Sequence, residues 1–441
     1  MNKEKWIKTA LEEGFESFEI YQAVSEEIKV EWYQHEMSSY VTSRVNGTSF
    51  RGVIGGKMAN MATEDPSDER MEETLRAMKE QAASITSEDA VRIRKPEKTE
   101  ETASLTVWKK PSADKIKEIL KETEEAILAY DPRIVQVTML EWIGETNRRE
   151  ITNSYGMKVE DTGSFQGMVT GAAAMDGKEV KNGFEITLVH DPETFDKGPF
   201  IKKLCDNVLR QFGAAPIPSG TYPVIFEQSV MTDLLNVFTG LFSGDLIGKG
   251  ISPLKDRLGE KIFAENVTLI DDPRNQDAAS LANYDDEGCP TKTKVLVKDG
   301  VFQGMLHNTK SAERMHTEST GNGFKRSYAS VVGVSPMNLY IVPGEKSLEE
   351  LCAEMKEGYV ITSLQGLHAG IDFVTTNFSL QSSGYWIKDG KFDRSVTLVT
   401  VAGNFLDLMK KVCAVGNDLE WSYRSIAAPS IYFGECAVAG E

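Results

Sequence analysis

The spacing of apolar positions changes several times along the chain. From Lys3 to Glu13, Trp6, Ile7, Ala10 and Leu11 recur at helical intervals, with Asn2 placed to cap the start and Gly14 to close the end. The period then falls to two in FEIYQAV, IKVEWYQ and SSYVTSRVNGTSFRGVIGGKMANMAT, which predicts extended strands. Asn46-Gly47 predicts a hairpin turn inside the last of these, and Gly55-Gly56 a bend. Helical spacing returns over 67–85 through Met71, Leu75, Met78, Ala82 and Ile85, and again from a Ser112 cap to Leu128, before Asp131-Pro132. Strands VQVTMLEWI and REITNSYGMKVED follow, then a tight turn at Asp176-Gly177. A helix opened by Pro199 carries Leu204, Cys205, Val208, Leu209 and Phe212 on its apolar side and closes at Gly213.

AAPIPSG, residues 214–220, marks a boundary. The reading is an N-terminal α+β domain over 1–213, holding a charged, proline-punctuated linker at about 87–112, and a β-rich domain over 214–441. In the second part a strand, TYPVIFEQ, precedes a helix, SVMTDLLNVFTGLFSG, with Val230, Leu234, Val237, Phe238 and Leu241 on one side. KVLVKDGVFQGML and YWIKDGKF read as Lys-Asp-Gly hairpins, and VTLVTVAG as a strand. Ser347 and Glu350 form a capping box for a short helix ending at Gly358. With no regular βαβ alternation, the fold class is α+β in two domains.

Length and charge narrow the options. The 441 residues suffice for two or three domains with real cores, and 40% hydrophobic with 26% charged residues is an ordinary globular balance. A net charge of −18 repels a phosphate backbone, so direct nucleic-acid binding is not expected. The basic-looking RIRKPEK (92–98) reads as a solvated linker. No run of eighteen apolar residues predicts a membrane span, and MNKEKWIKTALEEGFESFEIYQ lacks the apolar stretch of a signal peptide, so the expected location is cytoplasmic. Cys205, Cys289, Cys352, Cys413 and Cys436 are odd in number and widely spaced, which fits a reducing compartment.

Candidate chemistry is sparse. A zinc site needs three or four converging ligands, usually two of them from one short motif. His35-Glu36, in HEMSS, is followed by Ser39 and Tyr40 where a zinc peptidase would place a second histidine. His307 and His316, nine residues apart, would fall on opposite sides of a helix. Gly55-Gly56-Lys57 runs into MANMAT and lacks the Ser/Thr of a phosphate loop. YDDEGCPT (284–291) is the densest acidic turn: Asp285, Asp286 and Glu287 suit either a cation or the capping of backbone amides. No G-x-S-x-G stretch supports a serine nucleophile.

Taken in order, YPVIFEQ, LIDDP, YDDEGCPT, STGNGFKR, SPMNLYIVPGEKS, VTVAGN and VGNDLEW…APSIYFGECAVAG resemble the TldD/PmbA family, and more closely its PmbA (TldE) branch, long labelled "modulator of DNA gyrase". The resemblance implies that TldD members carry an H-E-x-x-x-H metal motif on the helix after the Tyr-Pro-Val strand and a cysteine near the C-terminus. Here that helix has no histidine, and Asp233 is its only carboxylate before Asp245. Cys413 lies near the family cysteine but reads as a core thiol. The implied role is a non-metal-binding companion of a TldD-like subunit, or a homodimer, handling unfolded peptides, with zinc held only by the TldD-like partner. Asp285, Asp286, Glu287, Gly288, Asn322, Asn404, Gly416, Asn417 and Asp418 are the candidate cleft residues for substrate or partner. The rival expectations are a self-sufficient hydrolase with an acidic metal site, and a protein-binding modulator of gyrase or of toxin–antitoxin components.

Overall fold

The computed structural model describes residues 1–87, 89, 91–97 and 108–441. Its first half is one antiparallel sheet with two pairs of helices. In chain order these are α1 (Lys3–Glu12), β1 (Ser17–Tyr33), β2 (Glu36–Ile54), β3 (Lys57–Thr63), α2 (Met71–Ser84), α3 (Ala113–Tyr130), β4 (Ile134–Asn153), β5 (Lys158–Asp176), β6 (Glu179–Leu188) and α4 (Gly198–Leu209). The sheet runs β3-β2-β1-β4-β5-β6. Four of its strands are 17 to 20 residues long, about 55–65 Å at 3.3 Å per residue, and this length separates two cores. At one end Phe18, Ile20 and Phe50 pack on Trp6, Met71, Leu75 and Met78 of α1 and α2. At the other, Val30, Trp32 and Trp142 pack on Ile119, Leu120, Leu204 and Val208 of α3 and α4. Strand alternation turns Glu19 and Tyr21 the opposite way, toward the second half of the chain; Tyr21 there meets Ile151, Met157 and Tyr328.

The second half contains β7 (Gly220–Phe226), α5 (Gln228–Phe238), α6 (Gly244–Gly248), β8 (Leu269–Asp271), β9 (Lys294–Lys298), β10 (Val301–Phe302), α7 (Thr309–Arg314), β11 (Gly323–Phe324), β12 (Gly333–Val334) and β13 (Leu339–Ile341). It continues through α8 (Leu348–Met355), β14 (Gly358–Gln365), β15 (Ile371–Asp372), β16 (Asn377–Lys388), β17 (Lys391–Asn404), α9 (Phe405–Met409), β18 (Val412–Val415), β19 (Ile426–Ala427) and β20 (Ile431–Ala439). Pairing runs β14-β7-β20-β17-β16, and β14 also pairs with β16, so five strands close on themselves. Closure leaves no open edge among them. A smaller sheet, β10-β9-β8-β13-β19, stands beside this ring. Their shared core centres on α5 and includes Leu234, Phe238, Phe242, Phe263 and Phe405. Among the described residues no helix is long and apolar enough to cross a membrane.

The two-domain α+β class is what the sequence predicts, and several local expectations hold. Asn2 caps α1, Ser112 caps α3, and Ser347 and Glu350 form the capping box of α8. Gly55-Gly56, Asp299-Gly300 and Asp389-Gly390 lie in the connections of antiparallel strand pairs, and Gly177 opens the turn that follows Asp176, the last residue of β5. Other expectations need correction. Asn46-Gly47 is no turn: both residues lie inside β2, opposite Val24 and Ala23. Glycine is required there for another reason, since a Cβ would sit 2.0 Å from the Tyr328 ring. The α8 helix ends at Met355, with Lys356 at φ 62, short of Gly358. His35 occupies the β1–β2 turn at φ 68, where its Nδ1 lies 2.9 Å from Glu124 Oε2.

Of the linker expected at about 87–112, residues 88, 90 and 98–107 lie outside those described. In the described part Arg92, Lys95, Pro96, Glu97, Lys109 and Lys110 are exposed, as expected of a solvated segment, but not every residue is. Ile93 and Arg94 are buried, and Asn153 Nδ2 donates to Arg94 O at 2.9 Å. Burial opposes the Arg94 charge, and Cys289, Glu97, Asp285 and Glu287 beside it outweigh that opposition and raise its pKa.

Candidate functional site

The acidic turn lies where the two halves meet. Asp161 on β5 accepts the backbone N–H groups of Asn283 and Tyr284 at 2.9 and 3.0 Å, tying the turn to the first sheet. Within the turn, Asp285 Oδ1 accepts the amides of Glu287 and Cys289, both at 2.9 Å, and Oδ2 accepts Gly323 N at 2.8 Å. Asp286 takes Arg149 Nη1 at 2.8 Å and Lys325 N at 2.7 Å. Glu287 takes Arg51 Nη1 at 3.0 Å and Thr309 N at 2.6 Å. Each of the six carboxylate oxygens therefore already accepts a donor, and the Arg51 and Arg149 guanidinium groups supply the positive charge beside them. The capping reading of the turn is the one its geometry fits.

Arg51 and Arg149 reach the turn from β2 and β4. Glu19, opposite Arg51 in the strand register, accepts Arg51 Nε at 2.8 Å, so one guanidinium serves two buried carboxylates. Burial opposes the Arg51 charge, but Glu19 and Glu287 outweigh it and lift its pKa above the ordinary value. Glu19 is lifted by burial, with Arg51 opposing. Lys325 Nζ lies 4.4 Å from the Tyr21 ring centre and reaches Ser49 Oγ; burial, then the Arg51 charge, lowers it to about 8.

Burial, reinforced by the Glu287 charge, raises Asp285 to about 7. A carboxyl raised above its unfolded value contributes stability that is full below that value, near 4, and lost as pH rises through about 7. Asp285→Asn removes this titration. We expect the stability advantage of wild type over the variant to grow as pH falls from about 7 toward 4, measured by urea unfolding at each pH. An advantage that shrinks on acidification contradicts the assignment.

The remaining candidates fall in several places. Gly288, at φ 74, closes the turn so tightly that a Cβ would meet Met157 Sδ at 2.2 Å. Asn322 is buried nearby and donates to Asp271 Oδ2 at 2.8 Å and Ser335 O at 3.0 Å. Asn404 caps α9 through Asp407 N at 3.1 Å. Gly416, Asn417 and Asp418 form a loop where Asp418 accepts Ser430 N at 2.8 Å and Ser430 Oγ at 2.6 Å. Ser430 Oγ in turn accepts Gln228 N at 3.0 Å, so this loop sets the start of α5. Only Asp285 to Gly288 and Asn322 gather around one place. Sequence reasoning missed Glu19, Arg51, Arg149, Asp161 and Lys325. Their one signal is the opposite charge of Glu19 and Arg51 in adjacent strands, which has meaning only once the register is known.

α5 is the helix after the Tyr-Pro-Val strand. Val230, Met231, Leu234, Leu235 and Phe238 turn inward, and Thr232 Oγ1 accepts Ala428 N at 2.9 Å. Asp233 is ion-paired with Arg424. Beyond the helix, Asp245 lies 2.6 Å from Arg314 and 2.7 Å from Lys249.

The domain family described as "PmbA/TldA metallopeptidase C-terminal domain" matches residues 219–440, and the corresponding central domain matches 106–212. The chain belongs to the PmbA/TldD family. It is 24% identical to metalloprotease PmbA of Escherichia coli O157:H7 over 331 residues, covering 75% of this chain and 71% of that one. Among solved structures, TldE from Thermococcus kodakarensis superposes with a TM-score of 0.90 at 25% identity, covering 99% of this chain and all of the other. A Thermotoga maritima MSB8 protein described as a modulator of a DNA gyrase gives 0.89 at 29% identity, covering 99% of both.

A PmbA/TldD metallopeptidase needs metal ligands, and the described residues do not fit one. α5 offers a single carboxylate, already engaged by Arg424, and no imidazole. Among the described residues no three His, Cys, Asp or Glu side chains are grouped to hold a metal ion. Cys413 is exposed on β18, which corrects the core reading: β18 pairs with β20 and turns this side chain outward, where Sγ lies 3.7 Å from Lys411 O.

Proposed function

We propose that this chain is a non-metal-binding, PmbA/TldE-like subunit of a TldD/TldE-type metallopeptidase complex that degrades or trims unfolded peptides. The observation that carries the reading is α5. Its inner face is committed to aromatic and aliphatic packing and its one carboxylate to an arginine, in a fold that superposes on TldE. The chain's contribution would be to shape the cavity and to bind peptide or partner, in the cytoplasm, with zinc held by the TldD-like subunit. The domain division we propose, 1–213 and 214–441, accords with the second sheet system beginning at Gly220.

Co-expression with a TldD-like protein tests the pairing. The expected result is a stable 1:1 complex that survives size-exclusion chromatography. Two chains that elute separately at micromolar concentration, with this one a homodimer, would sink the heterodimer reading. The acidic-site hydrolase is disfavoured because Asp285, Asp286 and Glu287 already hold backbone amides and the Arg51 and Arg149 guanidinium groups.

A further inference from the structure

A cavity of about 280 Å³ opens between the two halves, bounded by the β2–β3 turn, the segment after α2, the start of α7 and the two residues before β12. Its charge balance is opposite to that of the chain. Arg51, Lys57, Arg92 and Lys310 line it against two acids, Asp89 and Glu287, whereas the whole sequence has a net charge of −18. Lys57 Nζ reaches Ser87 O, Lys310 Nζ lies 2.9 Å from Asp89, and Arg92 Nε lies 2.6 Å from Glu313. These contacts use only part of what an ammonium with three donors or a guanidinium with five can offer. Arg92 and Lys310 are also half-exposed, so their remaining donors can turn toward a bound anion.

A second, independent feature points into the same place. Thr309 lines the cavity and is 2% exposed, yet its hydroxyl has no hydrogen-bond partner among the described residues. Buried hydroxyls are ordinarily paired. Met58, Ile85, Val91, Val331 and Val332 give the lining an apolar part, beside the neutral polar Asn60, Ser87 and Asn308. A site of this kind suits an anion attached to a hydrophobic body, not a bare ion. Its volume lies just below the usual range of ligand pockets, about 300–1,000 Å³, and leaves room for roughly one or two residues.

We propose that this cavity binds the free α-carboxylate of a peptide chain whose last side chain is apolar. The carboxylate meets Lys57, Arg92 and Lys310 and accepts from the Thr309 hydroxyl, while the terminal side chain packs on Val91, Val331 and Val332. The inference rests on the peptide-handling reading above and names its substrate class: extended peptides presented by the C-terminus.

Isothermal titration of the full chain tests it, with an N-acetylated tripeptide ending in valine, as free acid and as C-terminal amide. The free acid is expected to bind at least about tenfold tighter, the size of one charge-assisted contact. Lys57→Met, Arg92→Met and Thr309→Val should each weaken the acid about three- to tenfold and leave the amide unchanged, with circular dichroism confirming the fold. Equal affinities for acid and amide, or no binding at millimolar peptide by a folded chain, would overturn the assignment. So would tighter binding of inorganic phosphate than of the peptide, which would make the cavity a plain oxyanion site. Because the titration uses this chain alone, its failure leaves the subunit reading intact. Failure to pair with a TldD-like protein likewise leaves the titration valid.

Discussion

Arg51→Met is expected to destabilise the folded chain by about 3–5 kcal/mol, the usual result of removing one partner from a buried charge cluster. Glu19, Arg51 and Glu287 are all almost fully buried, and the guanidinium supplies a donor to both carboxylates. Methionine fills much of the space but leaves the two acids without their shared cation. The deficit should therefore depend on pH. Orphaned carboxyls have folded pKa values above their unfolded ones, so the stability they confer is full below about 4.3 and lost as pH rises. Urea unfolding should show the Arg51→Met deficit shrinking toward pH 4, and Glu19→Gln in the same background should recover part of it at pH 7. A loss below about 1 kcal/mol at pH 7 would mean that the cluster does not couple the two halves.

Phe238→Ala should cost about 3–5 kcal/mol, the range for deleting a large aromatic side chain from a packed core. Phe238 is fully buried at the end of α5 and stacks on Phe405 with ring centroids 4.3 Å apart. Phe405 meets Phe263 edge-on at 6.2 Å, and Phe242 links Phe263 to Phe302. Truncation opens a void on one side of this chain of rings, and the surrounding strands form a closed ring that cannot collapse freely into it. Phe238→Leu keeps most of the volume and should cost clearly less. The comparison also bears on function: a helix whose inward face is packed this way presents no side chain there for coordination. Equal, small losses for both variants in thermal and urea unfolding would show that α5 is not held as described.

Much of the frame was legible in the sequence because local chemistry dictated it. Asp299-Gly300 and Asp389-Gly390 place two consecutive residues at positive φ, as tight hairpins need, and the Ser347–Glu350 box caps α8 whatever lies around it. Asn46-Gly47 carries the same kind of local signal, yet the long pairing of β1 with β2 overrides it and Tyr328, from the other half of the chain, uses the glycine. The acidic turn could be located from YDDEGCPT, but its partners could not. Arg51 and Arg149 lie more than a hundred residues upstream, and only the register of the first sheet brings them to Glu287 and Asp286. Arg94 is the opposite case: its neighbours Arg92, Lys95 and Pro96 are exposed as the basic stretch suggests, while its own guanidinium lies inside beside carboxylates from distant positions. The absence of an imidazole from α5 was readable directly, since composition alone settles it.

The role proposed for this chain is tested most directly by measuring metal content and turnover of an unfolded peptide for three preparations: this chain, a TldD-like partner, and their co-purified complex. The account predicts substoichiometric zinc and no turnover for this chain after dialysis, and about one zinc per heterodimer with activity that neither subunit shows alone. One tightly held zinc per copy of this chain, with peptide cleavage in the absence of any partner, would contradict it.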